Sequence, residues 1–386
     1  MARVLAYTSP ARGHLYPVAQ TLLELHGRGH EVHVRTLASE VAALRGLGLR
    51  AEPVAPAIER LPLDDWRGET PQEALAGVFR TFAARSAHEV PDLRGAVADV
   101  DPHVLMVDIA TPGAAAAAEA TGLPWAEWIP FFQHFDVVPV APPGLTRMPY
   151  TLAPQGMETL DAPRRALGLA PLAGPQDAYR APVSLYFTAE PFEVEAPERP
   201  PSLRLVGPGL WEPPGEEPAW LDGIEMPLVL VTASSEFQRD DALVTTALAA
   251  LAGEDVRVVV STVAHDPEGF EVPANARLAR WVPHGAVVRR AACVVCHGGM
   301  GITQRALAAG VPVCVVPFGR DQAEVAVRVA ATAAGTALAP DALTPDALRA
   351  AVREAMTMGE GARRVAEGFA RAGGAPAAAD AVEALL

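Results

Sequence analysis

The chain has 386 residues, half of them hydrophobic, and carries a formal net charge of −15. This length exceeds what a single hydrophobic core usually holds, so two domains are expected. Because an acidic protein repels phosphate backbones and anionic headgroups, the charge argues against nucleic acid or a membrane surface as a partner.

The first half of the chain alternates apolar runs with segments of helical spacing. A helix is predicted from Pro17, because Val18, Leu22 and Leu25 recur at helical intervals, and an alanine-rich helix is predicted over 113–121. A loop and helix at the rim of a cleft are predicted between 55 and 88. The predicted strands are 4–8, 31–36, 49–54, 103–108, 125–129 and 183–188. Strands and helices in this order predict parallel pairing with right-handed crossovers.

The second half repeats this alternation after a proline-rich stretch between about 195 and 218, which is typical of a linker. Helices are predicted at 241–251 and 322–331, and the chain from 347 onwards is mostly helical. The predicted strands are 228–232, 256–261, 278–281, 292–296 and 313–316.

The predicted fold class is therefore α/β, with two doubly wound Rossmann-like domains facing each other across a cleft. The expected divisions are an N-terminal domain over 1–200, a linker over 201–219 and a second domain over 220–365. A C-terminal helix is predicted over 366–386, and its return to the first domain is left open.

No apolar run in the sequence reaches about 18 residues, so no membrane span is expected. The opening apolar stretch is too short for a signal peptide and leads into a Gly/His loop. Cys293, Cys296 and Cys314 lie in apolar, strand-like stretches, which favours reduced thiols and a cytoplasmic location over a disulfide framework.

The most informative stretch runs from Cys293 to Gly301, where an apolar strand leads into His297, three glycines and a helix-forming segment. Glycines let a ligand approach the backbone, and the unpaired N–H groups of a first helical turn carry partial positive charge. The stretch therefore predicts a phosphate site with His297 as a further donor. The alternative is an ordinary strand-to-helix turn with a chance histidine.

Two other motifs fit this stretch poorly. The Cys-Val-Val-Cys-His run matches the pattern for haem attachment, but both cysteines are predicted to be buried in a strand. A dinucleotide fingerprint would require a third glycine where the chain has Gln304.

The order of motifs along the chain carries a resemblance to a known family. His297-Gly298-Gly299-Met300-Gly301 is followed by A-L-x-x-G-V-P over 306–312, by Pro317-Phe318 and by Asp321-Gln322, while Gly13-His14-Leu15-Tyr16-Pro17 follows the first strand. In these features the chain resembles the inverting, metal-independent GT-B glycosyltransferases that decorate natural products. It looks closest to actinobacterial enzymes that add deoxysugars to macrolide, aromatic polyketide or enediyne scaffolds in antibiotic biosynthesis.

The resemblance implies an enzyme that moves a (deoxy)sugar from a dTDP-sugar, favoured over a UDP-sugar, to a hydroxyl of an apolar small molecule. It implies no metal and no cofactor beyond the nucleotide-sugar co-substrate, and it leaves a homodimer open. By the same resemblance, His14 would be the general base, and Asp108 would hold its tautomer and stabilise the imidazolium. The alternatives are a solvated loop histidine for His14 and a helix N-cap for Asp108.

The resemblance also implies the binding residues. The positions expected to bind the nucleotide and its phosphates are Ser234, Ser235, Trp281, Val282, His297, Gly298, Gly299, Met300, Gly301, Ile302 and Thr303. Asp321 and Gln322 are expected to bind the sugar. The acceptor groove is expected to be lined by aromatic residues, namely Trp66, Phe79, Phe131, Phe132 and Phe135. The alternative role for Trp281 is core packing.

The chain departs from the family pattern at two positions. Ile302 stands where a small or hydroxyl residue is usual, and Arg305 stands where a glutamate commonly holds the ribose hydroxyls. Since arginine accepts no hydrogen bonds, either Gln304 takes over the ribose or Arg305 faces the phosphates. Two other functions remain: a UDP-sugar 2-epimerase or hydrolase of the same fold, and a non-catalytic helper protein.

Overall fold

A computed structural model describes residues 1–132, 145, 154–174, 177, 180–193 and 199–386, and they form two parallel sheets. The first sheet has the order β3-β2-β1-β4-β5-β6-β7 in the described chain. Its strands are β1 (Arg3–Tyr7), β2 (Glu31–Thr36), β3 (Arg50–Pro53), β4 (Val104–Asp108), β5 (Trp125–Ile129), β6 (Val183–Tyr186) and β7 (Leu203–Leu205). The second has the order β10-β9-β8-β11-β12-β13. Its strands are β8 (Leu228–Thr232), β9 (Arg257–Ser261), β10 (Ala276–Ala279), β11 (Ala291–Cys296), β12 (Val313–Val315) and β13 (Gly335–Ala337).

Helices connect these strands. In the first half they are α1 (Arg12–Gly27), α2 (Val41–Gly46), α3 (Pro56–Glu59), α4 (Pro71–Val100), α5 (Pro112–Thr121) and α6 (Pro154–Ala166). In the second half they are α7 (Asp241–Leu251), α8 (His284–Val288), α9 (Met300–Ala308), α10 (Gln322–Ala331), α11 (Pro345–Ala355), α12 (Gly359–Arg371) and α13 (Gly374–Glu383). No helix in the described part of the chain is both long enough and apolar enough to cross a membrane.

The central strands are buried and largely apolar because helices cover both faces of each sheet. All five residues of β8 are buried: Leu228 and Leu230 belong to the core on one face, while Val229 and Val231 belong to the core on the other. The two predicted doubly wound units are confirmed. Cys293, Cys296 and Cys314 are free and buried in these strands, as predicted.

Helix α1 begins at Arg12, five residues before the predicted start. Leu15 is fully buried at helical spacing from Val18 and Leu22, and its burial stabilises the additional turn. His14 therefore lies in the first turn of a helix and not in a loop.

The stretch predicted as a linker begins with β7, which pairs parallel with β6 through Ser184 and Leu203. Strand β7 is three residues long and follows three prolines within five residues, so its apolar pattern was too short to indicate a strand. The equally short β13 was missed for the same reason.

The C-terminal helices connect the two halves. The predicted single helix over 366–386 comprises the end of α12 and all of α13, and α13 packs on α1. Arg28, the residue that follows α1, donates to Asp380 at 2.6 Å and to Glu383 at 2.7 Å. The end of the chain therefore contacts the N-terminal half.

Candidate active site

A cavity of about 1210 Å³ lies where the carboxyl ends of the two sheets face each other. Its walls come from the segments that follow β1, β4 and β5 in the first sheet and β8, β10, β11 and β12 in the second. Ligands of doubly wound sheets bind at this end of the strands. The cavity is therefore the candidate active site.

His14 and Asp108 form a hydrogen-bonded pair at the wall of this cavity. His14 Nδ1 lies 2.9 Å from Asp108 Oδ2 and 3.1 Å from Oδ1. Asp108 is fully buried, and it also accepts the N–H groups of Ser9 at 3.0 Å and Ala110 at 2.9 Å. These bonds fix the carboxylate, so the Nδ1 side of the imidazole is occupied and Nε2 remains for a ligand.

The surroundings of His14 act on its pKa in opposite directions. Burial disfavours the imidazolium, but the charge of Asp108 and its hydrogen bond outweigh burial, and the His14 pKa is raised. The arrangement can accept a proton at Nε2 and stabilise the resulting cation.

The strand-to-helix turn after β11 has the geometry of an anion site. Gly298 has φ +92°, and a Cβ on Gly299 would lie 2.5 Å from His297 Nε2, so both positions require glycine. Nδ1 of the buried His297 has no hydrogen-bond partner in the described residues. Burial lowers the His297 pKa, which favours a neutral imidazole.

The first turn of α9 forms part of the cavity wall. Met300, Gly301 and Ile302 line the cavity together with His297 and Gly299. The N–H groups of a first helical turn have no intrahelical acceptors, so the N–H groups of Met300, Gly301 and Ile302 are available to bind an anion.

Three residues expected at the nucleotide lie outside the cavity lining, and the expectations for Gly298 and Thr303 are corrected. Gly298 sits behind the turn, where a Cβ would contact Val315 and Gln322. Thr303 is fully buried: its N–H donates to the Gly299 carbonyl, and its hydroxyl lies 3.5 Å from Cys296 Sγ. The side chain of Val282 is buried in the core, but the contact expected of this residue is one between its backbone and the edge of the base, and it stays a prediction.

The other expected nucleotide residues line the cavity. Trp281 is 49% exposed, so core packing is excluded as its role. The N–H of Ser234 donates to Asp240, and its hydroxyl accepts the Gln238 amide at 2.7 Å. Ser235 is exposed beside it. These side chains can reach a nucleotide bound against α9.

Asp321 and Gln322 also line the cavity, and both have protein partners. Asp321 Oδ2 accepts the N–H of Phe132 at 3.0 Å, and burial raises the Asp321 pKa. Gln322 accepts the N–H groups of Phe318 and Gly319 and donates to Gln238. A sugar hydroxyl at Gln322 would share or replace these bonds.

The expected acceptor aromatics fall into different places. Phe79 and Phe131 line the cavity, and the Phe131 ring lies 5.9 Å from that of His14. Phe132 does not, because it is fully buried against Phe192 with the Arg328 guanidinium 4.3 Å above its ring. Two adjacent residues of the same type thus lie on different sides of the chain after β5.

Trp66 also lies outside the cavity lining. Its ring packs edge-on against Phe237 of the second half, with centroids 5.0 Å apart, and the Arg239 guanidinium covers it. The expected groove residue is thus a contact between the halves. Phe135 lies outside the described residues.

The two departures from the family pattern have structural consequences. Gln304 is buried and donates to the Phe187 carbonyl, so it cannot reach a ribose. Arg305 lines the cavity, but its Nη2 donates to the carbonyls of Leu210 and Trp211, and its Nη1 lies 3.7 Å from Glu212. Glu212 lines the cavity too, so a carboxylate stands beside the arginine.

The sequence did not indicate Arg320 as a site residue, although it lies beside Asp321. It has φ +52°, and it pairs with Asp65 through two bonds of 2.9 Å and with Glu236 at 2.8 Å. Asp65 belongs to the first half, whereas Arg320 and Glu236 belong to the second. The pair of Arg320 and Asp65 therefore joins the halves at the cavity. Its partner lies 255 positions away, and no local pattern signals such a pair.

Within the described ranges, no three His, Cys, Asp or Glu side chains cluster as ligands of a metal ion would.

The chain resembles known proteins both in sequence and in fold. Residues 245–385 match a family model described as "Erythromycin biosynthesis protein CIII-like, C-terminal domain". The chain is 32% identical over 389 aligned positions to 4'-demethylrebeccamycin synthase of Lentzea aerocolonigenes, covering 91% of each protein.

Solved structures share the whole fold. The spinosyn rhamnosyltransferase SpnG superposes with a TM-score of 0.78 at 20% identity and 100% coverage of both chains. The glycosyltransferase VinC, solved in complex with dTDP, gives a TM-score of 0.74 at 22% identity, with 99% of this chain and 98% of that chain covered. At these identities the likeness concerns the fold.

Proposed function

The chain belongs to the natural-product glycosyltransferases of the GT-B fold, and on that premise we propose that it transfers a deoxysugar from a dTDP-sugar to a hydroxyl of an apolar acceptor, with inversion. One observation supports this above the others: His14, held from behind by the buried Asp108, lines the same cavity as the N-terminus of α9. A proton acceptor and an anion site thus face one substrate-sized space.

In the proposed reaction, His14 Nε2 accepts the proton of the acceptor hydroxyl while the oxygen attacks the anomeric carbon. The bond from that carbon to the diphosphate oxygen breaks on the opposite face, which inverts the configuration. Asp108 stabilises the imidazolium because its carboxylate bonds Nδ1. The raised His14 pKa supports this role.

The departing diphosphate would bind at the first turn of α9. The N–H groups of Met300, Gly301 and Ile302 and the imidazole of His297 would share its charge. Backbone N–H groups supply these contacts, so the side chain of Ile302 does not remove them. Trp281 would pack against the pyrimidine.

The ribose would be held by Glu212. Its carboxylate accepts the N–H of Gly285 at 2.9 Å and lies beside Arg305 at the cavity wall. Arg305 would then orient the Glu212 carboxylate, which accepts hydrogen bonds from the ribose hydroxyls. The guanidinium of Arg305 cannot accept them itself.

The experiment is calorimetry of dTDP, UDP and ADP with the wild-type protein and the His297→Ala variant, in buffer with EDTA. We expect dTDP to bind wild type best without metal, and to bind the variant roughly 10-fold more weakly. Equal affinity of both proteins would contradict the phosphate assignment. A strict metal requirement for binding or sugar transfer would contradict the metal-independent mechanism.

A further inference from the structure

The cavity includes a region whose lining residues the proposed reaction does not use. One face of α5 lines it with Ala115, Ala116 and Glu119, and one face of α6 lines it with Thr159, Leu160 and Arg164. Within each helix these residues lie one, three, four or five positions apart and so share one side of the helix, and the cavity follows both helices. We call this space, together with Trp125 and Glu127 of β5 beneath it, the β5 branch.

The branch is open because of its composition. The two alanines of α5 leave room above the sheet that larger side chains would fill. Its far end has an ion pair in which Arg164 donates to both oxygens of Glu119, at 2.5 and 3.0 Å. Trp125 and Leu160 give this part of the lining apolar surface that an apolar body can contact.

Glu127 is the unusual member of the branch. It is 2% exposed, and its Oε1 accepts the Ser184 hydroxyl at 2.5 Å. In the described part of the chain this is the one hydrogen bond of its carboxyl group, and no cation pairs with it. A buried carboxyl without a counter-ion costs free energy unless another group binds it.

The pKa of the Glu127 carboxyl group follows from these surroundings. Burial raises its pKa to about 8, and the Ser184 hydroxyl opposes the shift only in part. Glu89 has a similar pKa of about 8 from burial, but it accepts the N–H of Gly113 and lies outside the cavity lining. Glu89 thus has a structural partner at a helix N-terminus, whereas Glu127 borders a ligand-sized space.

From this geometry, and resting on the proposed function, we propose that the β5 branch binds the body of an acceptor carrying a second N–H or O–H group, which donates a hydrogen bond to the Glu127 carboxyl. The site would select acceptors with such a donor over equally apolar acceptors without one. The donor can be a neutral hydroxyl or a cationic ammonium, and the test separates the two.

Three probes share one apolar body. They are a naphthalene diol with hydroxyls at opposite ends, its monomethyl ether, and the naphthol with an aminomethyl group in place of the second hydroxyl. We expect calorimetry to show that wild type binds the diol and the amine at least about 10-fold more tightly than the ether, because a hydrogen bond to a buried carboxyl is at stake.

The variants assign that preference. Glu127→Leu should bind all three probes equally, whereas Glu127→Gln, which keeps an acceptor oxygen, should retain the preference for the diol and lose that for the ammonium. Glu89→Gln is the matched control, since it changes an equally buried carboxyl outside the cavity and should keep both preferences. Unchanged dTDP affinity shows that each variant is folded.

Equal binding of diol, amine and ether by wild type would overturn the proposal, as would retained preferences in Glu127→Leu or no binding of any probe. Sugar transfer from a dTDP-sugar to the probes is measured separately. A Glu127-dependent preference without transfer would leave the binding site standing and contradict the proposed function. Transfer without the preference would contradict the site alone.

Discussion

At the scale of single residues, the pair of His14 and Asp108 shows how position sets chemistry. His14 lies in the first turn of a helix, where the N-terminal dipole disfavours a cation, and burial acts in the same direction. The charge of Asp108 and its hydrogen bond outweigh both effects and raise the His14 pKa. Two backbone N–H groups hold this carboxylate in place. The imidazole can therefore gain a proton during the reaction without leaving its place.

A pH profile tests this balance. Neutral His14 is the active form, so wild-type activity should fall as the pH drops through its raised pKa. Asp108→Asn removes the charge that raises the His14 pKa but leaves the burial that lowers it, so the acidic limb of the profile should move to lower pH. The value of kcat should fall about 10²–10⁴-fold. The measurement is kcat against pH.

The matched control is Asp99→Asn, which changes an exposed carboxylate 3.9 Å from Arg35. Its profile should equal that of wild type. A limb that stays in place in Asp108→Asn would show that another group is the base.

At the scale of elements, α5 depends on close contact with α4. A Cβ on Gly113 would lie 2.5 Å from the Ser86 carbonyl oxygen and 2.7 Å from Ser86 Cα. Glu89 of α4 accepts the Gly113 N–H at the start of α5, where a helix has unpaired donors. A glycine here lets the two backbones touch, and this contact fixes the roof of the β5 branch.

Gly113→Ala should therefore lower the free energy of unfolding by about 1–3 kcal/mol, because the helices must move apart. Gly95→Ala within α4 is the control: its Cβ meets nothing within 4 Å. Alanine is favoured over glycine in an exposed helix, so the control should be neutral or gain up to about 1 kcal/mol. Denaturant titration measures both, and equal effects would refute the proposed contact.

At the scale of the whole molecule, a few polar contacts hold the halves together across the cavity. Arg320 joins Asp65 to Glu236, and the fully buried Arg328 pairs with Glu193 at 2.8 Å. Trp66 packs on Phe237 beside the first of these pairs. The cavity is thus closed by contacts that a separation of the halves would break.

Asp65→Asn should weaken the closed arrangement by about 1–3 kcal/mol, since it removes a charge-assisted pair and leaves Arg320 with Glu236. We expect a larger radius of gyration in solution scattering of the ligand-free protein. Asp64→Asn changes the neighbouring carboxylate, which forms no ion pair in the described residues, and should leave scattering unchanged. Identical curves for both variants would exclude Asp65 as a clasp between the halves.

The sequence by itself determined the two α/β units, because buried parallel strands must be apolar along their length and helices must repeat at 3.6 residues. The bounds of β5, β8, α7 and α10 match the predictions residue for residue. Edge strands β7 and β13 were not predicted, because three residues are too few to show an alternating apolar pattern. The strand, glycine turn and helix after β11 are local features, which is why the sequence located the candidate anion site.

The tertiary structure alone decided which side chains meet. Phe131 and Phe132 have the same chemistry and adjacent positions, yet only Phe131 lines the cavity. Arg320 finds Asp65 across 255 positions, and Glu127 borders open space because α5 above it is rich in alanine. Composition and spacing describe one segment at a time, whereas burial, pairing and cavity shape depend on segments that are distant in the chain and adjacent in the fold.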